Sequence, residues 1–351
     1  MSQALMRYHP RIGYTYMPNA KLRVPWGNGG YLVRANAAGF RSDREFVQER
    51  KPGTFRALIF GDSQTAGDGV INSQRYTDLL EKALPDFELY NYALSGTGPD
   101  QQFLAYQENA AVEHDLLIIA LYVENIRRVN TRVVKSRDAS GEEYFRAKPY
   151  YQIENNELVL HHVPVPKQPW TEQTLPPEFL PYCNPPHVIQ PSAMAKHFSR
   201  DVMAMLSRVV PMEGLRRAVK TAAMRFQKFR PIPDFDTPDN PAWLLLRRIL
   251  EAWIQASRTS VLIVPIPHYF FLASSSDPSA YQARFRELAD ATKCHLYDPL
   301  PDLLKLSADE RGALWSDSSG HISIRGHEIL ENLLSPVLQS LMRAGQGEHA
   351  S

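Results

Sequence analysis

The stretch around which this sequence is organised reads Ala57-Leu58-Ile59-Phe60-Gly61-Asp62-Ser63-Gln64-Thr65. Its first four residues are apolar and predict one buried parallel strand. The run ends at a glycine, and from Arg75 onwards the apolar residues recur with the spacing of an amphipathic helix. Open α/β sheets bind their ligands at the carboxyl ends of buried strands. Ser63 is therefore the first candidate functional residue, and an ordinary polar strand-to-helix turn is the alternative.

Length and composition bound the class of protein. The 351 residues can form one large α/β domain with insertions or two ordinary domains. A hydrophobic content of 44% with 22% charged residues is typical of a globular protein. A net charge of +1 argues against nucleic acid as a partner. The apolar runs are too short to cross a bilayer, and the first ten residues lack the apolar core of a signal peptide. We therefore expect a cytoplasmic protein without an integral membrane segment.

The cysteine and histidine positions do not suggest a metal site. Cys183 and Cys294 cannot form a disulfide framework, and no pair of cysteines has the spacing of a metal site. His161, His162 and His187 are likewise scattered. We expect neither a metal nor a cofactor, and we expect Cys294 to be a small buried residue of the fifth strand.

Repeated strand and helix patterns predict an open parallel sheet. Each apolar run is followed by a segment with helical periodicity, as in βαβ units. The predicted further strands are 87–92, 116–121, 260–265 and 294–297, and the predicted helices are 99–114, 241–257, 277–292 and a final helix containing residues 330–341.

Two segments interrupt this pattern. The N-terminal segment is rich in Gly, Pro, Asn and Tyr, and we expect it to wrap the core. After the third strand comes a long insertion with a predicted hairpin at 150–162, a proline-rich connector and a basic stretch at 196–230. The predicted organisation is a wrapping segment (1–54), the first part of the core (55–132), the insertion (133–240), the second part of the core (241–345) and a flexible tail (346–351).

Polar residues follow several of these strands, where they would meet at one sheet edge. Nucleophilic catalysis needs a hydroxyl, a base, a group that orients the base, and donors for an oxyanion. Ser63 supplies the hydroxyl, and His321 with Asp317 lies on the loop before the last helix. The N–H groups of Ser63 and Gly96 and the amide of Asn125 are the candidate oxyanion donors. The alternatives are a surface or capping role for His321 and a capping role for Asn125.

These blocks resemble the SGNH, or GDSL, hydrolase superfamily of serine esterases and acyl hydrolases. The resemblance covers about 55–130 and 241–345, with the Asn36 to Arg41 prologue typical of a bacterial branch. It implies a flavodoxin-like, three-layer α/β/α sandwich with a five-stranded parallel sheet. It also implies that Ser63 is the nucleophile and a first oxyanion donor, Gly96 and Asn125 further donors, and His321 the base.

Three departures from the family pattern stand out. Gln64 replaces a more usual apolar or aromatic residue, and Ile126 follows Asn125 where aspartate is common. The acid of the family lies three residues before the histidine, a position that Ser318 holds here, whereas Asp317 lies four before. Either Asp317 completes a triad, or the enzyme uses a Ser63–His321 dyad.

The predicted activity is cleavage of a carboxylic ester, on a small molecule or a glycan, through an acyl-enzyme on Ser63. Acyl or acetyl transfer to an alcohol is the alternative, and an inactive binding module of the same fold is the third. Arg41 is a candidate substrate-binding donor or a surface arginine. The basic stretch at 196–230 is either a solvated helix face or a docking site for an acidic partner, a membrane surface or an anionic substrate.

Overall fold

The computed structural model describes residues 5–27, 29–137, 141–183, 230–272, 276–316 and 320–348. The strands are β1 (Met6–His9), β2 (Gly13–Tyr16), β3 (Lys21–Val24), β4 (Tyr31–Arg34), β5 (Phe55–Gly61), β6 (Phe87–Asn91), β7 (Leu116–Tyr122), β8 (Val133–Arg137), β9 (Glu143–Ala147), β10 (Tyr150–Glu154), β11 (Glu157–His161), β12 (Ser260–Ile266) and β13 (His295–Leu296). The α-helices are α1 (Ser63–Ala66), α2 (Tyr76–Ala83), α3 (Pro99–Asn109), α4 (Pro241–Ala256), α5 (Ser279–Thr292), α6 (Leu300–Leu303), α7 (Ala308–Ala313) and α8 (Ile324–Glu348).

A five-stranded parallel sheet forms the centre of the molecule, in the order β13-β12-β7-β5-β6. Every residue of β5 and β7 is buried, which explains why both strands are almost continuously apolar. The predicted α/β fold with its five parallel strands is confirmed.

Hydrophobic layers cover both faces of this sheet. On one face, Leu58 and Phe60 of β5 belong to a core that includes residues of α3, α4 and α5. On the other face, Ala57 and Ile59 of the same strand pack in a core with residues of α2 and α8. Because successive residues of a strand point to opposite faces, one apolar strand serves both layers. The result is the three-layer sandwich that the resemblance implied.

The strand register aligns the carboxyl ends of the central strands. Gly61 of β5 is paired with Ala120 of β7, and Ile59 is paired with Asn91 at the end of β6. Ile266 of β12 lies opposite Tyr122, the last residue of β7. The loops that follow β5, β6 and β7 therefore leave the sheet at a common edge.

The segments outside the sheet contain more hairpins than the sequence predicted. The N-terminal segment forms β1–β2 and β3–β4, which pack on the core. The insertion begins with β8–β9, which was not predicted, and continues with the predicted hairpin β10–β11. Nearly all of the basic stretch at 196–230 lies outside the described residues.

Several element boundaries and one burial prediction were wrong. Helix α3 ends at Asn109 rather than near residue 114, and the fifth strand has only two residues. Cys294 is half-buried rather than buried, because it precedes this short edge strand. Asn125 lies inside a 3-10 helix, Val123–Asn130, and does not cap it.

Candidate active site

Ser63 and His321 meet at the carboxyl edge of the sheet. The distance between Ser63 Oγ and His321 Nε2 is 2.9 Å, although the two residues are 258 positions apart. Ser63 is the first residue of α1 and is separated from the end of β5 only by Asp62, and His321 precedes α8. Gly61 allows this tight junction, because a Cβ there would lie 2.9 Å from the carbonyl oxygen of Ala120. The two candidate catalytic groups are therefore within hydrogen-bond reach.

Asp62 ties the nucleophile turn to the loop after β7. Its carboxylate is buried and accepts a hydrogen bond from the N–H of Gln64, which caps α1. Its second oxygen accepts a 2.8 Å hydrogen bond from Nδ2 of Asn125. Arg128 lies 3.7 Å from the same oxygen and donates to the carbonyl of Thr97 on the loop after β6. The three loops at the sheet edge are thus linked through Asp62.

The turn containing Gly96 is held in place by its neighbour Ser95. Gly96 has φ of 79°, the left-handed conformation that glycine adopts without strain. The carbonyl of Ser95 accepts a hydrogen bond of 2.8 Å from the hydroxyl of Tyr14, and its Oγ lies 2.9 Å from the hydroxyl of Tyr16. Ser95 Oγ also donates to the carboxylate of Asp68 on the loop after α1. Desolvation raises the pKa of Asp68, against the opposing effect of the Ser95 hydrogen bond.

The N–H groups at the two candidate oxyanion positions have no acceptor within the described part of the protein. Neither the N–H of Ser63 nor that of Gly96 donates to a described backbone or side-chain oxygen. Gly96 is also exposed, which gives a ligand access to its backbone. Both groups can therefore donate to a bound oxygen atom.

The N-terminal segment reaches the candidate base. Trp26, between β3 and β4, packs edge-on against the imidazole of His321, with ring centroids 5.0 Å apart and planes inclined by 77°. The same indole contacts Tyr31 and lies over Gly69. With Tyr14 and Tyr16 at the Gly96 turn, this segment forms one wall of the site.

The His321 loop is closed at its base. The N–H of Ser316 donates to the carbonyl of His321 at 2.8 Å, and Trp315 forms a β-bridge with Ile322. Asp317, the predicted orienting acid, lies outside the described residues. The loop is also tied to α1 by the side chain of Gln64, which donates to Gly320 O and accepts from the N–H of Ile322.

Arg41 is neither of the two things that the sequence left open, a substrate-binding donor or a surface arginine. Its side chain is fully buried and donates to the carbonyls of Gly67 and Val70 and to the side chain of Asn72. Burial lowers its pKa, and the neighbouring guanidinium of Arg75 acts in the same direction. Arg41 therefore holds the loop that follows α1.

Several residues of this arrangement were not predicted from the sequence. Asp62 has a recognisable signal, since aspartate directly before a helix is a preferred N-cap. Gln64 was noted only as a departure from the family pattern. Trp26, Asp68 and Ser95 gave no local signal, because they meet the site through contacts that only the tertiary fold creates.

The described part of the chain has no cluster of three or more His, Cys, Asp or Glu side chains suited to a metal ion. None of the helices within those same residues has the length and apolar character needed to cross a bilayer.

No family model matches the sequence, and no curated protein matches it. Matching solved structures include TesA, with 14% identity and a TM-score of 0.42 over 82% of this chain and 99% of that chain. A member of the lipolytic G-D-S-L family from Veillonella parvula has 10% identity and a TM-score of 0.42, over 82% and 99% of the two chains. The lipase/acylhydrolase from Enterococcus faecalis has 12% identity and a TM-score of 0.41, over 82% and 96%. These TM-scores are low, so the fold assignment rests on the strand order and the two core layers.

Proposed function

We propose that this protein is a serine hydrolase that cleaves a carboxylic ester, with Ser63 as nucleophile and His321 as general base. The observation that carries the proposal is the 2.9 Å contact between Ser63 Oγ and His321 Nε2. A serine hydroxyl is a weak nucleophile at neutral pH, and an adjacent imidazole activates it by accepting its proton. The position of this pair, at the carboxyl edge of a parallel sheet, supports the proposal further.

In the first half of the reaction, Ser63 Oγ attacks the ester carbonyl while its proton moves to His321 Nε2. The tetrahedral intermediate carries a negative oxygen, which the N–H groups of Ser63 and Gly96 stabilise by hydrogen bonds. Asn125 supplies a third donor, since its Nδ2 has a second hydrogen besides the one given to Asp62. Collapse of the intermediate breaks the bond to the alcohol, which leaves with the proton from His321.

In the second half, water replaces the alcohol. His321 takes a proton from the water, the resulting oxygen attacks the acyl-enzyme, and the carboxylic acid leaves as Ser63 regains its proton. An acceptor alcohol in place of water gives transfer instead of hydrolysis. The alcohol portion of the ester is proposed to belong to a small molecule or a glycan, and the cytoplasmic location stays a prediction.

Steady-state hydrolysis of a panel of p-nitrophenyl esters tests the proposal. Ser63→Ala is expected to lower kcat by several orders of magnitude while the protein stays folded. Ser335→Ala, on the half-buried face of α8, is the matched control and is expected to keep wild-type activity. Full esterase activity in Ser63→Ala would remove the nucleophile assignment.

Two further measurements separate the alternatives, namely acylation of an added alcohol and covalent reaction at Ser63. Acyl transfer predicts that an added alcohol acceptor becomes acylated and outcompetes water. An inactive binding module predicts no turnover of any ester and no covalent reaction at Ser63.

A further inference from the structure

Both polar atoms of the Gln64 side-chain amide form hydrogen bonds next to the candidate base. Its Nε2 donates to the carbonyl oxygen of Gly320 at 3.1 Å, and its Oε1 accepts from the N–H of Ile322 at 3.0 Å. These are the residues on either side of His321. The Gln64 side chain is buried, so water competes little for the two hydrogen bonds.

Gln64 itself belongs to the turn that carries the nucleophile. Gln64 directly follows Ser63, and its own N–H is fixed by the carboxylate of Asp62 at 3.0 Å. The serine and the histidine are therefore connected through a single rigid residue as well as through their own contact. A displacement of the His321 loop would have to break both amide hydrogen bonds.

The chemistry of the two contacts selects glutamine. One contact requires a donor and the other an acceptor, about one amide width apart, and a primary amide provides both. A glutamate at neutral pH offers only acceptors and would face the Gly320 carbonyl with a negative charge. Leucine or methionine would leave the Ile322 N–H without its acceptor.

We infer that Gln64 is a positioning residue that holds His321 in reach of Ser63, in a role that rests on the proposed function. This role explains why position 64 is a glutamine rather than the more usual apolar or aromatic residue. Without the two hydrogen bonds of Gln64, the backbone on either side of His321 can shift so that Nε2 no longer faces the serine hydroxyl. Misplacement of a catalytic group by about 1 Å can cost on the order of 100-fold in rate.

Gln64→Met, of similar size and without hydrogen-bonding groups, is the principal test. We expect kcat for a reactive ester to fall about 10- to 100-fold with KM within about threefold of wild type. Gln64→Glu keeps the acceptor for Ile322 but sets a carboxylate against the Gly320 carbonyl, so it is also expected to lose activity. Gln282→Met removes a half-buried glutamine from α5 and is the matched control, with no expected change.

Amide hydrogen exchange of Ile322 provides a readout that does not depend on activity. The exchange is expected to be slow in the wild type and at least about tenfold faster in Gln64→Met, because the N–H loses its acceptor. Unchanged exchange in Gln64→Met would show that the amide does not hold the loop and would overturn the inference. Faster exchange with unchanged kcat would make the contact structural only and would overturn it too.

A failure of the proposed function would give a different set of results from a failure of the Gln64 inference. In that case the wild type hydrolyses no ester and does not react with a fluorophosphonate, whereas the Ile322 exchange still shows whether Gln64 holds the loop.

Discussion

Asp62 has a central position among the individual residues of the site. Both of its carboxylate oxygens are engaged, one by the N–H of Gln64 and the other by the amide of Asn125. A buried carboxylate with two such donors fixes their positions relative to each other. The aspartate of the Gly61-Asp62-Ser63 motif therefore organises the site without contacting the serine hydroxyl.

Asp317 is the predicted partner of the base His321. An acid beside the base holds the imidazole in the correct tautomer and stabilises the imidazolium formed during attack. No other acid lies so close in sequence to His321, which favours Asp317 as the orienting group. We expect Asp317→Asn to lower kcat by orders of magnitude, close to the loss in His321→Ala.

The control for that variant is Asp309→Asn on the exposed face of α7, which is expected to have wild-type kcat. A kcat for Asp317→Asn within threefold of the wild type would exclude Asp317 as the orienting group and leave a Ser63–His321 dyad.

At the scale of secondary-structure elements, α8 is joined to α2 by a buried histidine. His327 Nδ1 accepts a hydrogen bond of 3.2 Å from the N–H of Tyr76, the first residue of α2. That N–H has no partner within its own helix, so the imidazole replaces an intrahelical acceptor. Burial lowers the pKa of His327 to about 3, and Arg75 and Arg41 act in the same direction.

The lowered pKa of His327 predicts a pH dependence of stability. In the unfolded chain this histidine binds a proton near its ordinary pKa of 6.5, whereas in the folded protein it stays neutral. The contribution of His327 to the free energy of unfolding is therefore present in full above pH 6.5. It is lost as the pH falls towards 3, at a rate of up to about 1.4 kcal/mol per pH unit.

We expect urea unfolding of His327→Gln, which keeps an acceptor for Tyr76, to show a shallower loss of unfolding free energy between pH 6.5 and 4 than the wild type. Equal slopes in the two proteins would show that His327 does not titrate differently on unfolding.

The sequence predicted the elements of the sheet better than those around it. Residues 57–60 of β5 and 116–122 of β7 are continuous apolar runs, because both faces of the sheet are covered, and such runs can be recognised without an alignment. Strands β1 to β4 lie in two-stranded hairpins, and each strand has only four residues, too few for a periodic pattern to stand out. Their structure depends on packing against core residues that are distant in the sequence.

At the scale of the whole molecule, a buried ion pair joins the insertion to the core. Lys148, between β9 and β10, contacts the carboxylate of Asp100 in the first turn of α3, and both side chains are buried. Burial lowers the pKa of Lys148 and raises that of Asp100. Asp100 lies two residues after Gly98, on the helix that follows the Gly96 turn.

Removing one partner of a buried pair leaves an uncompensated charge, so Lys148→Met is expected to lower the unfolding free energy by about 3–5 kcal/mol. The double variant Lys148→Met/Asp100→Leu is expected to be more stable than the single variant. Lys135→Met breaks the exposed pair with Glu143 and is the control, with a loss below about 1 kcal/mol. A loss that small in Lys148→Met would show that the pair does not anchor the insertion.

The site as a whole was partly predictable for a topological reason. In a parallel sheet, residues that follow consecutive strands meet at one edge, so the motif order brought Ser63, Gly96, Asn125 and His321 to the same region. The buried position of Arg41 was not predictable, because its partners lie on the loop after α1 and are chosen by tertiary packing.

The most direct test of Ser63 as an activated nucleophile is covalent labelling with a fluorophosphonate, followed by intact-mass measurement and peptide mapping. We expect one adduct per chain, on the peptide containing Ser63, with no adduct in Ser63→Ala and a greatly slowed reaction in His321→Ala. An adduct that persists in Ser63→Ala, or a wild-type protein that forms none, would contradict the assignment of Ser63 as an activated nucleophile.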